Sequence, residues 1–229
     1  MRHLHFGKLF FVVFSLLLAY TVSARKPIKT LLITGQNNHN WQVSHVVLKQ
    51  ILENSGRFDV DFVISPEQGK DMSGFVLDFS PYQLVVLDYN GDSWPEETNR
   101  RFLEYVQNGG GVVIYHAADN AFSKWPEFNR ICALGGWEGR NENSGPYVYW
   151  KDGKLVKDSS AGPGGSHGRQ HEYVLNGRDK VHPVVKGLPL KWRHAKDELY
   201  DRMRGPGIGL GHHGCVGLRI DKYLLHHQA

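Results

Sequence analysis

Three uninterrupted apolar runs constrain this chain more than anything else in it. They are Thr30-Leu31-Leu32-Ile33-Thr34, Leu84-Val85-Val86-Leu87 and Val112-Val113-Ile114-Tyr115. Strands without polar alternation are covered on both faces, as happens in parallel sheets whose crossover helices lie above and below. Between the runs the period turns helical. Val43, Val46, Val47, Gln50 and Ile51, with Leu48 beside them, make one apolar stripe, and Phe102, Leu103, Tyr105 and Val106 make another. Trp94-Pro95-Glu96-Glu97 opens the second helix with a proline and two acids at the positive end of its dipole. Asn108-Gly109-Gly110 closes it with residues that tolerate left-handed geometry. Phe58 to Ile64 alternates as a strand with one wetter face, and a short helix follows near Pro126 to Leu134. Strand and helix in turn predict an α/β fold around a central, mostly parallel sheet.

The last run ends in a histidine: Gly109-Gly110-Gly111-Val112-Val113-Ile114-Tyr115-His116-Ala117-Ala118-Asp119. Open α/β sheets bind ligands in the crevice beyond the carboxyl ends of their strands. His116 is delivered there. His39 follows the first run, and Asp88 and Asn90 end the second, so all four are expected at one rim.

The N-terminus reads as an address. Met1 to Ala24 has a basic start, an apolar run from Leu9 to Tyr20 and the small residues Val22-Ser23-Ala24, which together predict a cleaved signal peptide over residues 1–24. The run is well short of the ~20 residues a spanning helix needs, so no membrane anchor is expected after cleavage. The protein is expected to be secreted or periplasmic. A net charge of +4 with no lysine or arginine run argues against a nucleic-acid partner. Two cysteines, Cys132 and Cys215, make no disulfide framework.

From Gly136 to Gly168 glycine, serine, proline and aromatics dominate, with strand-like pieces at Tyr147 to Trp150 and Lys154 to Val156. Long irregular segments inside a domain are usually functional or disordered, and with its aromatics this one reads as a substrate-facing excursion. A strand resumes at His171 to Leu175. The segment 207–229 is rich in histidine and glycine without a strand or helix period. It is expected to be an atypical tail, the product of a truncated or frame-shifted reading frame or an ordinary terminus, beyond a single domain over 27–206.

Several pieces taken together resemble the ThuA-like (trehalose-utilisation) family. They are the first strand with Gly35 and Asn38-His39-Asn40-Trp41, the Gly109 to Ala118 segment, His182-Pro183-Val184 with Gly187-Leu188-Pro189, and Asp197-Glu198-Leu199-Tyr200. The resemblance covers Lys29 to Arg204 and departs after Pro206, where Leu210-Gly211-His212 echoes a family triplet without the strand before it. It implies a flavodoxin-like three-layer sandwich of the class I glutamine amidotransferase-like superfamily. In that superfamily a nucleophilic cysteine occupies the strand-to-helix elbow. Here His116 holds the place, followed by Ala117, so the acyl chemistry of an amidotransferase lacks its thiolate. The resemblance further implies catabolism of trehalose or another disaccharide, through keto-glycoside intermediates.

The candidate catalytic residues are His116, His39, His171 and Glu198. Imidazole suits proton transfer near neutral pH, and His116 as general base would remove a proton α to a sugar ketone. Candidate substrate-binding residues are Asn38, Trp41, Asp88, Asn90, Asp119, Trp137 and Tyr149, with Trp150 a further aromatic able to stack on a sugar face. His39, His116 and His171 would also suit a divalent metal, with a carboxylate completing the set. His167 and His182 are weaker candidates, the latter a turn residue before Pro183. The expected activity is that of a lyase, isomerase or hydrolase acting on a small sugar. The alternative is a non-catalytic carbohydrate-binding protein that uses the same crevice.

Overall fold

The computed structural model describes residues 26–177, 183 and 186–207. The signal peptide expected over 1–24, His182 and the tail from 208 onward lie outside the described residues. Among the described residues no helix is long and apolar enough to cross a membrane.

A four-stranded parallel sheet is the centre of the molecule. β1 (Ile28–Thr34) lies between β2 (Phe58–Ile64) and β3 (Leu84–Leu87), and β4 (Gly111–Ile114) lies outside β3. The order β2-β1-β3-β4 is that of the first four strands in flavodoxin-like sheets. The apolar runs account for it: Leu31 to Ile33 and Val85 to Leu87 are all buried. Alternate residues face opposite sides. Leu31, Ile33, Val85, Leu87 and Val112 pack with Phe102 of α2 (Glu96–Gln107) and Phe128 of α3 (Pro126–Cys132). Leu32, Val60 and Val86 pack on the other face with Leu48 and Leu52 of α1 (Trp41–Asn54). Helices thus cover both faces of an α/β sheet.

Two details refine the reading of the sequence. The helix from Glu96 comes where Trp94-Pro95-Glu96-Glu97 placed it, and its end explains the glycine turn. A Cβ on Gly110 would fall 2.3 Å from the Tyr105 ring, whose hydroxyl reaches over to donate to the Gly111 carbonyl at 2.8 Å. The stripe on α1, in contrast, is corrected. Val43, Val46, Val47 and Ile51 are exposed, Ile51 to 62%. The helix instead turns His45, Leu48 and Leu52 to the sheet side, residues three and four apart in turn and so one helical face. With apolar residues on two adjoining faces, a 3.6 period cannot choose between them. Burial of His45 is tolerated because its Nδ1 lies 2.6 Å from the Trp41 carbonyl oxygen.

The excursion after Gly136 is built of small antiparallel units. β5 (Tyr147–Lys151) and β6 (Lys154–Asp158) form a hairpin, as do β8 (His171–Asn176) and β9 (Lys191–Asp197). The two-residue strand β7 (Ser166–His167) pairs with β10 (Tyr200–Asp201), setting His167 opposite Tyr200.

Candidate active site

The elbow after β4 is the starting point. Tyr115 still pairs with the sheet, its N–H donating to the Leu87 carbonyl, and the chain then turns into a single 3-10 turn over His116–Asn120. His116 makes the turn at φ +47°, a left-handed conformation that non-glycine residues adopt rarely and histidine more readily than most. Ala117 and Ala118 are fully buried behind it. Their small side chains let the turn press against the core while the imidazole stays at the surface of the crevice.

Three further side chains converge on that imidazole. His39, from the loop between β1 and α1, has its ring centre 4.4 Å from that of His116. Glu198, between β9 and β10, places one carboxylate oxygen 3.9 Å from His116 Nε2 and the other 3.9 Å from His167 Nε2. At that separation the carboxylate lies between two imidazoles without a hydrogen bond to either. Tyr200 stacks on His116 at 4.8 Å, and the Trp137 ring closes the wall at 4.6 Å from Tyr200 and 5.8 Å from His167.

The electrostatics follow from partial burial. Desolvation, then the neighbouring His39, holds the His116 imidazole below its usual range, against the pull of Asp197 and Glu198, so it stays neutral near pH 7. Burial and the nearby charges of Asp119 and Glu198 raise the Tyr200 phenol, which keeps its proton and remains a donor. Burial pushes the Asp119 carboxyl up to about 7, and its Oδ1 is sealed from solvent without a partner.

Of the residues singled out in the sequence, His116, His39, Glu198 and Trp137 meet at one place. Asp119 lies buried near Tyr200. The others are engaged elsewhere. His171 is exposed at the start of β8, its Nδ1 2.9 Å from the Arg169 carbonyl oxygen, so it does not complete a metal set with His39 and His116. Asp88 is buried and its carboxylate accepts from Ser44 at 2.5 Å, Asn37 at 2.9 Å and Thr34 at 3.4 Å, which spends it on tying β1, β3 and α1 together. Asn90 donates to the Asn38 side chain at 2.7 Å, so these two amides brace the rim. Trp41 begins α1 with its ring 5.9 Å from that of His45, and the exposed Tyr149 points its hydroxyl to Asp158 across the β5–β6 hairpin.

Sequence reasoning passed over Tyr200 and ranked His167 low. Tyr200 carried a signal: two residues beyond Glu198 in extended chain, it falls on the same side. His167 carried none, because only its pairing with Tyr200 brings it in. Cys132, the cysteine among the described residues, sits beside the Leu134 carbonyl oxygen with its thiol pushed up by burial. A thiol so held is inert, and the elbow belongs to an imidazole.

Among solved structures the chain is similar to a ThuA-like protein from Bacteroides uniformis, at 19% identity over 77% of this chain and with a TM-score of 0.48. The chain spans 62% of the length of that protein. A comparison with curated proteins finds no match. The model of the ThuA family, described as trehalose utilisation, matches residues 29–208, from the first residues of β1 past β10. That match runs through the whole sheet, the His116 elbow and Glu198, and by it the chain belongs to the ThuA family.

Proposed function

We propose that this chain is an exported protein of carbohydrate catabolism that acts on trehalose or another disaccharide at the level of a keto-glycoside. Its fold would be the flavodoxin-like three-layer arrangement of the amidotransferase-like superfamily. The composition of residues 1–24 supports export, and family membership supports the substrate class. The observation that carries the reading is His116, held left-handed at the carboxyl end of β4 with Glu198, His39 and Tyr200 turned toward it.

That arrangement suits proton transfer next to a carbonyl. Glu198 stands between the imidazoles of His116 and His167, one of which takes the proton from the carbon α to the sugar ketone. The electron pair freed there moves into an enolate, whose oxygen is met by a protonated donor such as the Tyr200 phenol. When the enolate collapses to a C=C bond and breaks the bond to the glycosidic oxygen, with the proton delivered to that oxygen, the step is that of a lyase. Water then adding across the C=C bond makes the net reaction a hydrolysis, and return of the proton to the neighbouring carbon instead makes it an isomerisation. Trp137 and Tyr200 offer aromatic faces for the sugar ring.

The test is turnover of 3-keto-disaccharides by the full chain and by His116→Ala. The variant should melt as cooperatively as the parent and lose at least about 100-fold in kcat/KM. Unchanged turnover in the variant contradicts the assignment. Tight sugar binding by the parent, with no product over long incubation, would instead identify a carbohydrate-binding protein.

A further inference from the structure

We infer that His39, His116 and Glu198 form a binding site for one divalent first-row transition-metal ion, with His167 left beside it as the free imidazole. Each of the three residues offers a ligand atom, and these atoms lie within 4.8 Å of one another. Ligands at about 2.1 Å around a tetrahedral ion stand about 3.4 Å apart, so side-chain rotations of about an ångström close the set.

Two independent observations point to room for a further partner at the centre of the cluster. His39 Nε2 is sealed from solvent and has no hydrogen-bond partner, a state buried polar atoms rarely keep. The Glu198 carboxylate, which the Tyr200 phenol reaches, stands 3.9 Å from each of two imidazoles, too far for a hydrogen bond to either and near enough to share a third body with them. The supports are also of the right kind. His116 is fixed by the elbow, and His39 by its own loop, where its N–H donates to the Asn37 side chain at 2.9 Å. Glu198 is braced the same way, its N–H donating to Asp197 at 2.8 Å.

The donor set chooses the class of ion. Two imidazoles and one carboxylate suit zinc, iron or cobalt, whereas magnesium and calcium prefer oxygen alone. Three protein ligands leave a position open, the pattern of catalytic rather than structural sites. This inference rests on the proton-transfer reading only for its use. A bound ion would take a sugar oxygen at the open position and favour the enolate. His116 would then be a ligand, and His167, on the far side of Glu198, would carry the proton.

The test is titration of the full, metal-stripped chain with Co²⁺ and Zn²⁺, followed by the visible Co²⁺ absorption and by the melting midpoint. The parent should bind one ion per chain, develop the absorption and melt at a higher temperature with the ion than without. Glu198→Gln and His39→Asn should each weaken Co²⁺ binding at least about 100-fold and lose the midpoint shift, while melting cooperatively. His194→Gln, on β9 with its ring stacked on Tyr173, should bind as the parent does. Mg²⁺ and Ca²⁺ should leave the midpoint where it was. Failure of the parent to bind Co²⁺ overturns the site. So does equal binding by Glu198→Gln and His39→Asn, which would move the ion to other histidines such as His212, His213, His226 and His227. Keto-disaccharide turnover that survives metal stripping also overturns a working ion while sparing the proton-transfer reading. A normally loaded site without turnover supports the site and counts against that reading.

Discussion

The half of the molecule built on the parallel sheet and the half built from hairpins are held together by different forces. The sheet half closes over a continuous apolar core in which Phe79, Tyr89, Trp94, Phe102 and Phe128 pack against β1, β3 and β4. Among the described residues, the hairpin half has few buried apolar side chains and is fastened by two buried arginines. Arg140, 3% exposed, donates to the carbonyls of Asn120, Gly136 and Ala121 and to the Asn129 side chain. Arg204, fully buried, reaches the carbonyls of Gly145 and Ser160 and lies over the Tyr147 ring at 3.4 Å. Its backbone also bridges Gly135. The two halves meet at the site: His39 and His116 come from the sheet, and Trp137, His167, Glu198 and Tyr200 come from the hairpins. Apolar packing places the first pair. A few directional hydrogen bonds place the rest.

The contrast can be broken by mutation, starting where the effect should be largest. Phe102→Ala opens a cavity in the sheet core and should cost about 3–5 kcal/mol, lowering the midpoint of the whole cooperative transition in chemical denaturation. Arg140→Met should cost less, roughly 2–4 kcal/mol, because it leaves carbonyls unpaired without emptying the core. Its turnover should fall further than its stability, since the guanidinium ties the end of the elbow turn to Gly136, next to Trp137. If Arg140→Met cost as much as Phe102→Ala while sparing turnover, the division of labour would be wrong.

A subtler change acts in the opposite sense. Asp119, between the two halves, is raised from the ordinary aspartate value of 3.8 to about 7 by burial. The folded state therefore holds that proton more tightly than the unfolded chain does. Stability from this group is intact below about pH 4, falls as the pH rises toward 7, and stays lost above it. Asp119→Asn removes the ionisation, so it should gain stability over the parent by an amount that is small at pH 4 and grows to a few kcal/mol at pH 8. Equal stabilities of the two proteins at pH 8 would show that the carboxyl ionises there without penalty.

The same division explains what could be read from the sequence. Runs such as Leu31 to Ile33 and Val85 to Leu87 declare a covered parallel sheet, and strand-end position alone brings His39 and His116 forward. Such local signals suffice because the core is a matter of period and polarity. The hairpin half has no comparable signal. Its β7–β10 pairing joins residues 166–167 to 200–201, and neither partner announces the other. That is why the exposed His171 stood beside His39 and His116 as the third candidate metal ligand, and why His167 ranked low. Asp88 misled for a different reason: a carboxylate ending a buried strand looks free until Ser44, Asn37 and Thr34 are seen to occupy it. The turned face of α1 shows the limit of periodicity on a helix that is apolar on two sides.

The central claim is that the cluster around His116 moves a proton next to a sugar carbonyl. It is tested most directly by incubating the full chain with a 3-keto-disaccharide in D₂O and following deuterium at the carbon α to the ketone by NMR. The account predicts deuterium incorporation faster than in buffer alone, lost in His116→Ala. Background incorporation by the parent, or equal incorporation by His116→Ala, would contradict it.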